Sequence, residues 1–185
     1  MTTFHPLTPE RWSDLEKLFG PRGACCGCWC MYWRLPRKQF DEQQGEVNRR
    51  NLKALVESGS IPGLLAYSDG EPVGWCSIAP REEFSTLARS RVLKPVDELL
   101  VWSVVCFFVA RTQRGKGLTV ELLNASVEYT RSNGARIVEG YPVEPKNGKA
   151  VDVFVFTGLL SAFKQAGFTE VLRRSETRPI MRYSL

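Results

Sequence analysis

One α/β domain of the α+β type, with helices packed on a mixed sheet, is the fold class this sequence predicts, and three observations predict it. At 185 residues the chain can build one full hydrophobic core but not two. Short apolar runs with strand character alternate along it with longer stretches at helical spacing. One of those runs, Leu99 to Val109, "LLVWSVVCFFV", is almost wholly apolar and rich in β-branched and aromatic residues, as a central strand covered on both faces must be.

The elements follow in order. A first strand opens the chain, with His5 beside Pro6. Thr8-Pro9-Glu10 then supplies a cap residue, a proline suited to the first helical position and an early acid, and Trp12, Leu15, Leu18 and Phe19 continue at helical spacing. The stretch "GPRGACCGCWCMYWRLP" breaks that spacing and reads as an ordered loop anchored by aromatics. Val47, Leu52, Leu55 and Val56 predict a helix over 41–58, ended by Ser58-Gly59. Two apolar runs, Leu64 to Tyr67 and Val73 to Ile78, flank the turn Ser68-Asp69-Gly70-Glu71 and predict a hairpin. Residues 81–96 carry no clear signal.

After the central strand, Leu118, Leu122, Ala125 and Tyr129 define a helix over 115–131 that Asn133-Gly134 stops. A strand over Arg136 to Val143 comes next. A helix over Gly158 to Gln165, the turn Ala166-Gly167-Phe168 and strands over Glu170 to Arg173 and Pro179 to Tyr183 complete the domain, expected to run from residue 1 to 185.

Composition narrows the function classes. Apolar residues are 43% and charged residues 24%, which excludes a disordered or collagen-like chain. No apolar stretch approaches the roughly 20 residues that span a bilayer, and "MTTFHPLTPERW" lacks a basic segment leading into an apolar run, so the expected location is cytoplasmic, with no membrane partner. A net charge of +5 gives a weak attraction to anions. Because the positive residues are spread along the chain with no reading motif, no specific nucleic acid is expected.

The chemistry is carried by the segment "CFFVARTQRGKGLTVELL", where a strand gives way to Arg114-Gly115-Lys116-Gly117 and then to a helix. The first turn of a helix exposes N–H groups with no partner and carries the positive end of the helix dipole, while glycines let a bulky anion approach the backbone. With Arg111, Arg114 and Lys116 around it, this patch is suited to a diphosphate. It is not the nucleoside-triphosphate loop, because Lys116 lies between the glycines and no Ser or Thr follows it directly; nor is it the dinucleotide fingerprint, which needs glycine where Val120 stands.

The segment resembles the coenzyme A loop of the GNAT superfamily of N-acetyltransferases, whose pattern R/Q-x-x-G-x-G/A falls on Arg114, Gly117 and Thr119, the last departing from the usual glycine or alanine. The order of elements and the turn "AGF" extend the resemblance over nearly the whole chain. It implies a single GNAT-like domain with a mixed, mostly antiparallel central sheet flanked by helices. It also implies an enzyme that moves an acetyl group from acetyl-CoA to an amine, on a small molecule or a peptide, by direct attack, with no metal. Arg114, Gly115, Lys116, Gly117, Leu118 and Thr119 would hold the diphosphate, and backbone N–H groups of Phe107, Phe108 and Val109 would hold the pantetheine arm and polarise the thioester carbonyl.

Two positions depart from that family pattern. Phe163 stands where many members have a tyrosine that protonates the leaving thiolate, and Phe156 where an asparagine is frequent. Substitutes are sought on "RIVEGYPVEP", where Glu139 and Tyr141 are two apart and share a face of a regular strand, Glu139 as base and Tyr141 as acid or substrate contact. The plainer reading has Tyr141 packed in the core and Glu139 paired with an arginine. The departures also leave open a catalytically inactive acyl-CoA-binding protein of the same fold.

Six cysteines could indicate a disulfide framework, but four crowd into Cys25 to Cys30, and reduced thiols are expected. The Cys25–Cys28 pair invites zinc, yet six residues cannot wrap one ion tetrahedrally, so the loop, with Trp29, Tyr32 and Trp33, is expected to wall an acceptor pocket instead. Cys76 and Cys106 lie in predicted buried strands as small core residues, and the lone histidine, His5, is read as structural. Exposed C-terminal strands leave room for a homodimer.

Overall fold

The computed structural model describes residues 1–146 and 155–185. Seven strands form one sheet in the order β1-β2-β3-β4-β5-β7-β6. They are β1 (Thr2–Pro6), β2 (Gly63–Ser68), β3 (Glu71–Pro80), β4 (Trp102–Val109), β5 (Ile137–Gly140), β6 (Thr169–Arg173) and β7 (Pro179–Ser184). All neighbours pair antiparallel except β4 and β5, which are parallel. The apolar run expected as the central strand is β4, in the middle of the sheet, and it begins at Trp102, three residues later than the run itself.

Val104 and Phe107 of β4 face one apolar cluster and Val105 and Cys106 the other, the register shift against β3 between Ser77 and Ile78 interrupting simple alternation. Helices α5 (Leu118–Ser132) and α6 (Leu160–Gln165) supply the first cluster through Leu122, Leu123 and Phe163. The second is built by α1 (Trp12–Phe19), α3 (Glu46–Glu57), α4 (Ser85–Arg89) and the cysteine loop, around Trp12, Leu52, Leu87 and Trp33. A side chain of Leu size, fully buried, stabilises by about 1.5–3 kcal/mol, so both faces hold β4 in place.

Three boundaries differ from the sequence expectation. The helix expected over 41–58 is two helices, α2 (Arg37–Glu42) and α3, because the Gly45 N–H donates to the Gly27 carbonyl (2.9 Å) and draws the chain off the helical path. The signal-free stretch contains a 3₁₀ turn (Arg81–Glu83) and the short α4. The strand expected to reach Val143 ends at Gly140, since β4 and β5 pair only at Trp102↔Val138, Ser103↔Glu139 and Val104↔Gly140 and then part.

The wedge between the diverging strands is occupied by residues 156–160. The Phe107 N–H donates to the Phe156 carbonyl (2.7 Å), the Val143 N–H donates to the Gly158 carbonyl (2.9 Å), and the Leu160 N–H donates to the Val143 carbonyl (3.0 Å). This bridge keeps the sheet continuous where direct pairing fails.

Candidate functional site

Strand β4 ends at Val109, a single 3₁₀ turn (Arg111–Gln113) reverses the chain, and α5 begins at Leu118. Between them Gly115 and Gly117 adopt φ of +73° and +86°, which L side chains rarely tolerate. A Cβ built on either glycine would meet no atom within 4 Å, so the space above both is open. Gly117 is the N-cap of α5 and no side chain caps this end. Its carbonyl takes the N–H groups of Val120 (2.9 Å) and Glu121 (3.2 Å), leaving the first-turn N–H groups at Leu118 and Thr119 without a helical acceptor. Leu118 is buried, and its methyl would lie 2.9 Å from a Cβ on Gly74 of β3, which seats the helix start against the sheet. Arg111, Arg114 and Lys116 are exposed around this opening, with Arg114 Nε donating to the Val109 carbonyl (3.2 Å). The structure thus brings together the six expected loop residues, Arg114 to Thr119, as an open cationic cradle.

The three strand positions are not equivalent, which corrects the expectation for Phe107 to Val109. Ala110 N–H donates to the Val73 carbonyl (2.9 Å), and with Phe108 opposite Trp75 the antiparallel alternation directs the Phe108 N–H toward β3 as well. Phe107 and Val109 present their N–H groups to the other edge, where that of Phe107 is already held by Phe156.

Glu139 and Tyr141 do share a face, as their spacing predicts, with Tyr141 Oη donating to Glu139 Oε1 (2.7 Å). They are 1% and 0% exposed. Arg81 Nη1 donates to Glu139 Oε1 (2.8 Å) and also to Tyr141 Oη, while Arg182 Nε donates to Glu139 Oε2 (2.7 Å). Ser103 Oγ lies 2.8 Å from Tyr141 Oη, and Arg182 extends the network to Asp97 through bonds of 2.6 and 3.0 Å. Burial first, and then the neighbouring Glu139 charge, pushes the Tyr141 phenol well above its ordinary value. Both Glu139 oxygens are therefore engaged by guanidinium groups, and the Tyr141 proton is held more tightly than a free phenol's. Sequence reasoning missed Arg81, Asp97, Ser103 and Arg182; the one available signal was Arg182 standing inside the apolar strand "PIMRYS".

The acetyltransferase (GNAT) family model matches residues 28–156. The chain belongs to the GNAT acetyltransferase family. Curated proteins yield no significant match. Solved structures share the fold at low identity. A GNAT acetyltransferase from Listeria monocytogenes superposes with a TM-score of 0.60 at 11% identity, over 100% of this chain and 95% of that one. The PaiA N-acetyltransferase of Thermoplasma acidophilum, in complex with coenzyme A, gives 0.56 at 13%, over 100% and 99%. YncA of Salmonella typhimurium, with its cofactor acetyl-CoA, gives 0.59 at 12%, over 100% and 94%.

Within this GNAT domain the two departures from the family pattern have structural reasons. Phe163 is 0% exposed, stacked edge-on against Phe107 and Phe168, and its ring lies so close to Gly140 that a Cβ there would be 2.1 Å from it. Phe156 sends its ring toward Tyr32 and Trp33 (centroids at 5.6 and 6.4 Å) while its carbonyl takes the Phe107 N–H. Both phenylalanines are packing elements of the β4 edge.

The cysteine loop is tied into the second core cluster. Trp33 Nε1 donates to the Val105 carbonyl (3.1 Å), Trp75 Nε1 donates to Cys30 Sγ (3.1 Å), and Cys30 Sγ sits 3.4 Å from Cys106 Sγ. Cys25 and Cys26 are exposed with sulfurs 3.6 Å apart, whereas burial pushes the Cys28 thiol up to about 11 and turns it toward the Gly23 carbonyl (3.7 Å). Cys25 and Cys28 thus have separate partners. Among the described residues no three His, Cys, Asp or Glu side chains are grouped to hold a metal ion. A cavity of about 780 Å³ lies against the loop, lined by Cys26, Gly27 and Trp29 together with Glu16 and Arg49. His5 stacks edge-on with Tyr67 (5.6 Å) and lies on β1, at the sheet margin. No helix among the described residues is long and apolar enough to cross a membrane.

Proposed function

We propose that this chain moves an acetyl group from acetyl-CoA to an amine acceptor, on a small molecule or a peptide, by direct attack. The observation that carries the reading is the uncapped N-terminus of α5, where two positive-φ glycines open to unoccupied space and three cationic side chains surround them. That arrangement fits a diphosphate: the backbone of Gly115 to Thr119 would bond its oxygens, while Arg114 and Lys116 balance its charge. When bound, acetyl-CoA supplies the acetyl group as a thioester. The Val109 N–H, directed to the open edge of β4, is the donor available to a carbonyl there.

Glu139 and Tyr141 enter this reading in a different role from the one their spacing first suggested. A base must present a free lone pair to the amine, and each Glu139 oxygen accepts from a guanidinium instead. We assign the pair to positioning: it locks β4 to β5 through Ser103 just before the strands part.

A second reading, an acyl-CoA-binding protein without transferase activity, is favoured by one observation: Phe163, fully buried and packed on Phe107 and Phe168, brings no hydroxyl to the place of the usual acid. Incubation with acetyl-CoA and a panel of amines and peptides, read by release of the free CoA thiol, separates the two. Acceptor-dependent thiol release supports the transferase; saturable acetyl-CoA binding without release supports the second reading.

A further inference from the structure

Cys25 and Cys26 belong to neither apolar cluster. Both are exposed, and their sulfurs lie 3.6 Å apart with the Cys25 thiol donating to Cys26 Sγ. The backbone fixes this arrangement. Ala24 and Cys26 adopt φ of +70° and +51°, and the N–H groups of Ala24, Gly27 and Cys28 donate to the carbonyls of Phe19 (3.0 Å), Arg22 (2.8 Å) and Cys25 (3.0 Å). Residues other than glycine stay at positive φ only where their surroundings hold them, so the pairing of the two sulfurs is built into the loop. The remaining thiols are committed to the fold: Cys28 turns to the Gly23 carbonyl, Cys30 and Cys106 lie together under Trp75, and Cys76 meets Ser126 Oγ at 3.2 Å.

Spacing decides what the pair can hold. Disulfides usually join residues whose Cα atoms are about 4.4–6.8 Å apart, whereas neighbours across a trans peptide are about 3.8 Å apart, so a direct bond between these two sulfurs is disfavoured. A single soft centre bonded to both sulfurs at about 2.3 Å and a near-tetrahedral angle spaces them about 3.7 Å apart, close to the separation found. Two thiols, with no third His, Cys, Asp or Glu side chain grouped with them among the described residues, cannot complete the four ligands of zinc. They do complete a three-coordinate centre that carries one organic substituent of its own. Cys26 lines the cavity of about 780 Å³ together with Arg22 and Trp29, which gives that substituent a place beside the indole. We infer that Cys25 and Cys26 form a dithiol site that chelates a monosubstituted trivalent arsenical. The inference is independent of the acetyl-CoA reading. In the reaction two As–OH bonds and two S–H bonds break, two As–S bonds form, and two waters leave; arsenic stays trivalent, so neither oxidant nor reductant is consumed. Burial, and then the bond to Cys26, raise the Cys25 thiol, which therefore enters protonated and gives its proton to the departing hydroxide.

The test uses the full reduced chain and phenylarsonous acid, the hydrate of phenylarsine oxide, as probe. Wild type, Cys25→Ser, Cys26→Ser, Cys28→Ser and Cys30→Ser are each followed by intact mass, by the count of remaining free thiols and by a melting curve. Wild type should take up one phenylarsenic group per chain with loss of two thiols, and should yield it to an added vicinal dithiol but not to the same concentration of a monothiol. Because the second As–S bond closes within the chain, Cys25→Ser and Cys26→Ser should each weaken retention about 100-fold. Their melting temperatures should equal that of wild type, since both side chains are exposed. Cys28→Ser and Cys30→Ser should retain the group as wild type does. Undiminished retention in Cys25→Ser or Cys26→Ser overturns the assignment. So does loss of retention in Cys28→Ser or Cys30→Ser at unchanged melting temperature, which would move the site to the inner thiols, and so does an absence of uptake by wild type.

Discussion

The α5 N-terminus and the Glu139 cluster are both dense in polar and charged groups, and they differ in what those groups have left to offer. At Gly115 to Thr119 the backbone donors face open space, no side chain caps the helix, and the cations are exposed. Around Glu139 each carboxylate oxygen meets a guanidinium, the Tyr141 hydroxyl is shared among Glu139, Arg81 and Ser103, and Arg182 passes on to Asp97. The first region has bonding capacity for a ligand. The second has used its capacity on the fold, and breaking a buried network of that kind is costly because the remaining charges stay buried.

The contrast is most strongly tested by Glu139→Gln. Removing the charge leaves Arg81 and Arg182 facing a neutral amide at 1% exposure, and we expect a loss of about 3 kcal/mol in urea unfolding. Turnover should keep the shape of its pH profile. A shifted profile at wild-type stability would instead return Glu139 to the role of base.

Gly117→Glu tests the other region. It sets a carboxylate over the cradle and a side chain at φ +86°, and the affinity for acetyl-CoA should fall about 100-fold, or roughly 2.7 kcal/mol, by calorimetry. Wild-type affinity in this variant would show that the α5 N-terminus is only a helix start.

The smallest effect belongs to the rim. Arg182 beside Asp97 holds that carboxyl below its usual range. A lowered carboxyl contributes stability that is fully present above the ordinary carboxylate value of about 4 and is lost as pH falls through the lowered one. Asp97→Asn should therefore lower stability slightly at neutral pH and converge with wild type as the pH falls below about 4, flattening the acid limb; the loss is small because the side chain is 38% exposed and well screened. An unchanged acid limb would detach Asp97 from the network.

The legibility of the two regions followed the range of their interactions. Strand, glycine patch and helix are consecutive in the chain, so the period change at Val109 and the glycines at 115 and 117 displayed the cradle in one local stretch. The spacing of Glu139 and Tyr141 also conveyed correctly that they share a face, because strand alternation is local. Their meaning was not local. Arg81 lies in the stretch without sequence signal and Arg182 on the last strand, and nothing along the chain announces that β7 pairs with β5 at Glu139↔Arg182.

What the sequence by itself determined is the class of the domain, the identity of β4 as the central strand, and the cradle at the start of α5, all of which rest on backbone preferences and periodicities within some twenty residues. What only the tertiary structure decided is which polar groups remain free: Glu139 and Tyr141 are consumed by arginines from distant segments, and the Phe107 N–H is taken by Phe156. Side-chain type sets a group's bonding capacity, but burial and partners brought from far along the chain decide how much of it is left for a ligand.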